Sequence, residues 1–256
     1  MATKRDDAGA AIVIKPVATK TIEVALIGTT PIILNRVSQK AKRALLLPSG
    51  RKTQAERAAT NKHDPVAEFQ GAPYCLDDDT APSLLAIPST SVKGAMMTAA
   101  LDLPGVQKTQ IGRLAFVDGF YLPVYGVPKL FMAVTRSADI GRTPDIRTRA
   151  IIDKWACAVI ITFVTPILTD TAVVNLLASG GFTCGIGDWR PEKGKGNFGQ
   201  YRVSGVEDAE YRRIVEEGGR ERQIAAMNAA EPYDSETRDM LEWAAGELSA
   251  RGRKAS

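Results

Sequence analysis

The chain holds one histidine and three cysteines in 256 residues, and each scarcity closes a class of function. With His63 alone, no site built from several histidines can hold a metal. A serine or cysteine nucleophile would have only this imidazole as its base. His63 stands in "NKHDPVAEF", a polar, turn-like segment that suits a solvated histidine. Cys75, Cys157 and Cys184 are odd in number and far apart, and no pair has zinc-ligand spacing. They read as packed or free thiols of a reducing cytoplasm. No apolar run reaches the roughly 18 residues that span a bilayer, so no membrane partner is expected. The N-terminus lacks an apolar segment followed by a cleavage site, so residues 1–19 read as a flexible arm and not a signal peptide. The glycine-rich segment has no lysine-serine phosphate-loop ending and precedes a strand, so no nucleotide cofactor is expected. Three consecutive carboxylates, Asp77, Asp78 and Asp79, point in different directions and read as a solvated turn. Neither a metal nor a catalytic residue is therefore assigned.

The net charge is only +4, so where the charges sit matters more than their sum. From Asn35 to Lys62 the positive residues are Arg36, Lys40, Lys42, Arg43, Arg51, Lys52, Arg57 and Lys62, against Glu56 alone. Its first part suits a helix ended by Pro48 and Gly50. The second is polar enough to order only on binding. A run with so few compensating acids suits a polyanion.

Coarse patterning gives the order of elements. "KTIEVALIGTTPIIL" reads as a strand with a turn at Pro31. A short strand at 84–87 precedes a helix with Ser89 or Ser91 as N-cap and Val92, Ala95, Met96, Ala99 and Ala100 at helical spacing. The first turn of that helix, with Ser91, Lys93 and Gly94, suits a phosphate. Residues from 113 are β-rich and broken by glycine and proline. "ADIGRTPDIRTRAIIDKW" reads as a protruding loop carrying Arg142, Arg147 and Arg149. "WACAVIITFVTPIL" is apolar throughout and reads as a central strand. "TDTAVVNLLASGG" is a helix capped by Thr169 or Asp170 and ended by Gly180–Gly181. The glycine-rich loop then delivers the chain into "QYRVSGVE". From 208 the chain is helical and charged, with breaks at Gly218–Gly219 and Pro232. Its last helix offers Met240, Leu241, Trp243, Ala244 and Leu248 for contact, with the body or a neighbouring subunit.

Without insertions, the order is strand–helix–strand–strand–helix–strand. The expected fold class is α+β, a ferredoxin-like or RRM-like antiparallel sheet with two helices, large insertions and a C-terminal helical appendage. The expected organisation is a domain over 20–207, with a basic insertion at 36–62 and a hairpin insertion at 113–152, and a helical extension over 208–256.

Two segments carry a resemblance. "AIPSTSVKGAMMTAA" resembles the Ser-Lys-Gly helix start of the RAMP superfamily, and "GFTCGIGDWRPEKGKGNFGQYRV" resembles the glycine-rich loop between its last helix and last strand. The resemblance implies a modified RRM-like fold, assembly side by side, and a grip on single-stranded RNA, as in CRISPR effector backbone subunits. The chain departs from that pattern at Met97, where an arginine is common, and its first loop lacks the aspartate of RNA-cleaving members. It also resembles uncharacterised phage and prophage proteins through Thr30-Pro31-Ile32-Ile33 with Asn35, Asp64-Pro65 with Glu68-Phe69 and Tyr74, and Gly185 to Val203. That likeness implies a role in phage DNA replication or recombination.

The residues of the loop suit the same ligand class. Glycines let a backbone approach a phosphate. Arg190, Lys193, Lys195 and Arg202 supply charge against Asp188 and Glu192. Trp189, Phe198 and Tyr201 offer faces on which bases stack, Trp189 having burial in the core as its alternative. The expectation is a non-enzymatic protein that binds single-stranded DNA or RNA and oligomerises into a filament along it. Its contacts come from the three basic regions: Arg36, Lys40, Lys42, Arg43, Arg51 and Lys52; Ser91 and Lys93 with Arg142, Arg147 and Arg149; and the loop. The rival is an assembly protein whose basic insertion and last helix bind protein partners.

Overall fold

The structure, a computed structural model, describes residues 16–38, 63–136, 144–194 and 196–254, together with Lys42 and Leu46. Its centre is a four-stranded antiparallel sheet. β1 (Ala18–Gly28) runs into β2 (Ile32–Leu34), α1 (Pro65–Gly71), β3 (Tyr74–Cys75) and β4 (Leu85–Pro88). α2 (Ser89–Ala99), α3 (Lys108–Leu114), β5 (Ala115–Val117) and β6 (Tyr121–Pro123) follow, then the long strands β7 (Pro128–Arg136), β8 (Pro144–Ile152) and β9 (Ala156–Thr165). α4 (Asp170–Thr183), β10 (Tyr201–Ser204), α5 (Ala209–Glu217), α6 (Arg220–Asn228) and α7 (Ser235–Lys254) complete the chain.

The central sheet has the order β10-β1-β9-β5, with every neighbour antiparallel. With α2 between β1 and β5, and α4 between β9 and β10, this is the ferredoxin-like arrangement expected from the order of elements. In β9, Cys157, Val159, Ile161 and Phe163 are buried, while Ile160 on the other face is exposed, the period-2 pattern of a strand with helices on one side. Of the 113–152 insertion, β5 joins the central sheet, while β6, β7 and β8 join strands before it in two smaller sheets, β2-β8-β7 and β3-β4-β6. Trp155 stands where β8 turns into β9. It is fully buried, donates Nε1–H to the Thr30 carbonyl at 2.9 Å and meets Tyr201 edge-on.

α2 is buried through Val92, Ala95, Met96 and Ala99, with Ala100 buried just past its end, the face read from its spacing. Its N-cap differs from expectation. Pro88 occupies that position with no side-chain hydrogen bond, because the first backbone N–H is already taken: Ser89 donates to the Phe120 carbonyl at 3.0 Å. Thr169 does cap α4, accepting from the Ala172 N–H at 3.2 Å. Gly180–Gly181 do not end α4, which runs on to Thr183. They are the crossing point: a Cβ at Gly180 would lie 3.1 Å from the Ala95 carbonyl, and one at Gly181 would lie 2.2 Å from the Tyr201 carbonyl oxygen. The expected loop before Trp155 is also corrected. From Pro144 it is β8, paired with β7 along its whole length and buried on both faces from Thr148 to Ile152, because Arg149 is buried against Asp188 and does not face solvent.

The C-terminal helices pack back on the body. Gln223 of α6 is fully buried and satisfied. Its Oε1 accepts from Ser83 Oγ and the Leu84 and Leu85 N–H groups, and its Nε2 donates to the Val124, Gly126 and Gly218 carbonyls. Thr237 of α7 is buried and accepts from the Met132 N–H. Met240 and Leu241 reach the core, whereas Trp243 stays exposed. The three cysteines are free thiols, and burial pushes that of Cys157 up to about 12.

Gly181→Ala is expected to lower stability by about 1–3 kcal/mol, because its methyl group meets a strand backbone that cannot yield. Thermal unfolding of the variant reads this directly.

Candidate nucleic-acid interface

The fold brings the start of α2 and the glycine-rich loop to the two walls of one cleft of about 470 Å³. Thr90, Ser91, Gly94, Met97 and Thr98 line it from α2, and Gly187, Asp188, Arg190 and Glu192 from the loop. Asn35 forms its end and also lines a second cleft, of about 570 Å³, with Arg36, Ser38, His63, Arg147 and Thr148. The two clefts therefore meet at Asn35.

The loop is pinned to both sides. Asp188 Oδ2 accepts from Asn35 Nδ2 at 2.9 Å and from Arg149 Nε at 2.7 Å, and its Oδ1 accepts from the Trp189 N–H at 3.0 Å. The Asp188 N–H donates to the Ile33 carbonyl, continuing the pairing of β2. On the other wall, Glu192 accepts from Thr98 Oγ1 of α2 at 3.0 Å and from Arg190 Nε at 2.8 Å. Burial raises the Glu192 pKa, but the hydrogen bonds from Arg190 and Thr98 outweigh it and the net shift is downward.

Most glycines of the loop make room for the protein's own backbone. Gly187 has φ 87°, and a Cβ there would lie 2.7 Å from the Ile33 carbonyl oxygen. At Gly199, φ is 73° and a Cβ would lie 1.7 Å from the Ile186 carbonyl oxygen. The expected role of these glycines, approach to a phosphate, is thus largely replaced by internal packing.

The aromatic residues of the loop are corrected in the same way. Trp189, at φ 51°, packs edge-on against Phe131 at 5.8 Å and at a tilt against Phe198 at 6.2 Å, with the Arg149 guanidinium 4.9 Å from its ring centroid. Its ring is committed to the β2-β8-β7 sheet, and half-buried Phe198 shares that contact. Tyr201 is 3% exposed, so no base can reach it.

The basic residues divide. Arg149 is 6% exposed and tied to Asp188, which removes it from the candidate contacts. Burial lowers its pKa, and the facing Asp188 carboxylate opposes this. Arg202 is held by Asp208 and Glu210. Lys93 lies with its ammonium 4.7 Å from the Phe116 ring centroid and does not line either cleft. Ser91 and Arg190 do line the first cleft, joined by Lys108, whose Nζ reaches Thr98 Oγ1 at 3.5 Å. Lys193 is exposed. Arg36 and Arg147 line the second cleft, Arg147 half-exposed and 3.4 Å from Asp145. Arg36 Nε and Thr148 Oγ1 are buried without a hydrogen-bond partner among the described residues. Lys42 is exposed. Lys40, Arg43, Arg51, Lys52, Arg142 and Lys195, with most of the 36–62 stretch, lie outside the described residues.

His63 is held more firmly than a turn histidine. Its Nδ1 is 2.9 Å from Glu68 and its Nε2 is 3.1 Å from Asp145. The aspartate run is a turn, as expected, closed by Thr80 onto Asp78 and by Arg220 onto Asp79. Among the described residues, no group of three His, Cys, Asp or Glu is placed to hold a metal ion. Sequence patterning missed Asn35, Thr98, Lys108 and the anchoring role of Asp188. The one available signal was Asp188 between Gly187 and Trp189, a short acceptor inside a turn.

Trp189→Ala is expected to lower stability by about 2 kcal/mol, since half of a large ring leaves its packing. A fall in melting temperature identifies a packing residue, whereas loss of oligonucleotide binding at unchanged melting temperature identifies a stacking one. The Glu192 clasp has a pH signature. A carboxylate with a depressed folded-state pKa stabilises fully above its ordinary value of 4.5 and loses that contribution as pH falls through the depressed value. Urea unfolding is therefore expected to find Glu192→Gln less stable than the parent at pH 7, with the difference closing below that value.

No protein-family model matches the chain, and no curated protein matches it. Among solved structures, it is similar to the crystal structure of Cmr6 from Pyrococcus furiosus. That likeness covers 73% of this chain and 98% of the other at 10% identity, with a TM-score of 0.35.

Proposed function

We propose that the chain binds single-stranded nucleic acid without catalysing a reaction, with the strand's backbone lying in the two joined clefts around Asn35. Gly94 is the observation that carries this reading. A glycine inside a helix costs about 1 kcal/mol relative to alanine. Where a Cβ would stand at Gly94, nothing lies within 4 Å. Unlike Gly180, Gly181, Gly187 and Gly199, it has no packing reason to be glycine, and its bare backbone lines the first cleft. Room for an outside backbone explains it.

Charge supports the same ligand. Ser38 and His63, the residues flanking the segment 39–62, both line the second cleft. That segment carries Lys40, Lys42, Arg43, Arg51, Lys52, Arg57 and Lys62 against Glu56, so the residues on either side of a strongly basic stretch stand at this cleft. Arg36 and Arg147 are already there, and Arg190 and Lys108 stand in the adjoining one. The resemblance of the α2 start and the loop to the RAMP superfamily agrees, as does the ferredoxin-like sheet. The phage-like motifs favour single-stranded DNA in replication or recombination, with copies of the chain assembling along the strand. A CRISPR backbone subunit on guide RNA is the variant of this reading that RNA preference would select.

Mobility shift with matched DNA and RNA 30-mers tests the proposal, and absence of any shift would favour the assembly-protein reading. Affinity is expected to fall by orders of magnitude between roughly 50 and 200 mM salt. A flat response would sink the phosphate-groove idea. Gly94→Ala is expected to raise or maintain the melting temperature while weakening binding. Unchanged binding would remove the observation on which the placement rests.

A further inference from the structure

The first cleft opens onto a row of aromatic rings that the loop chemistry does not explain. Tyr74 lines the cleft. Its ring centroid is 5.3 Å from that of Tyr121, which in turn is 5.5 Å from that of Phe120. The arrangement follows from the β3-β4-β6 sheet. Tyr74 pairs with Ala86, and Tyr121 with Pro88. Ala86 and Pro88 are two residues apart on β4, so their partners share one face, and their small side chains let the two tyrosines meet across the middle strand. The outer end is bare: Phe120 is 83% exposed and Tyr121 38% exposed. Phe120 is also fixed in place, since its carbonyl accepts the first N–H of α2.

A cation stands at the inner end of the row: the Arg36 guanidinium lies 5.7 Å from the Tyr74 ring centroid. Tyr74 on β3, Tyr121 on β6 and Phe120 in the turn before β6, more exposed with each step out of the cleft and with Arg36 at the inner end, complement a ligand that is flat, apolar on its faces and anionic along its edge. Unpaired nucleobases on a phosphate backbone have that character.

We infer that Tyr74, Tyr121 and Phe120 form a base-stacking track that takes over the strand where it leaves the cleft. The inference rests on the nucleic-acid reading above and adds to it where the bases go. The stacking surface lies on the β3-β4-β6 sheet, and the glycine-rich loop, whose rings are turned into the protein, contributes none of it. Recognition on the track is of the base as a flat object and carries little sequence preference.

The test uses the full chain and two 30-mers of equal charge, oligo-dT and a fully abasic strand, titrated at one salt concentration. Wild type is expected to bind oligo-dT more tightly than the abasic strand. Phe120→Ala is expected to weaken oligo-dT binding about 5- to 150-fold, the range for losing one stacked base, and to leave abasic binding unchanged. Phe120→Trp should restore affinity, with indole fluorescence quenched on binding. Trp243→Ala, an exposed aromatic far along the chain on α7, serves as the control and should change neither. Thermal melting checks that each variant is folded. Equal binding of both strands by wild type, or an equal loss for both in Phe120→Ala, overturns the track while leaving the nucleic-acid reading standing. Binding of neither strand overturns both. A change in oligomeric state of Phe120→Ala without oligonucleotide, seen by sedimentation, would assign the rings to a protein contact instead.

Discussion

The Asp188 carboxylate holds together the parts from which the site is made. It accepts hydrogen bonds from Asn35 beyond β2, from Arg149 on β8 and from the backbone of Trp189. Arg149 is buried, and a buried guanidinium needs a facing carboxylate to be tolerated. The pair therefore locks the glycine-rich loop to the β2-β8-β7 sheet. Glu192 does the same toward α2 through Thr98. Between these two clasps lies the first cleft, so its width is set by electrostatic contacts at either wall and by the close packing of glycines beneath.

This arrangement sorts the chain's charges into two kinds. Arg149 and Arg202 each face a carboxylate and hold the protein in shape, whereas Arg190 pairs with Glu192 and also lines the first cleft. Arg36 and Lys108 line the two clefts, and Lys193 is exposed. A count of basic residues along the chain cannot make this division. It depends on which carboxylate the folded chain brings within about 3 Å, where pairing neutralises the cation.

The fold was legible where side-chain periodicity reports burial. The α2 face, the apolar β9 strand, the Thr169 cap and the helical breaks at Gly218–Gly219 and Pro232 all follow local rules. β8 was misread because Gly141 and Pro144 signal a loop and its arginines signal solvent, yet Arg149 is buried by a partner 39 residues away. Gly180–Gly181 read as a helix end because glycine is the usual terminator. Their actual reason, the approach of α2 and β10, exists only once the helix is packed.

The amino-acid sequence by itself determined the order of strands and helices, and with it the antiparallel sheet, since alternation and helical spacing are properties of neighbours along the chain. It also concentrated positive charge at 36–62 and glycine at 180–199. Only the tertiary structure decided what those concentrations are for. It turned Trp189 and Tyr201 inward, spent most of the loop's glycines on its own backbone, and left Gly94 bare at the cleft and Phe120 bare outside it. The physical reason is that exposure and pairing are set by residues far apart in sequence.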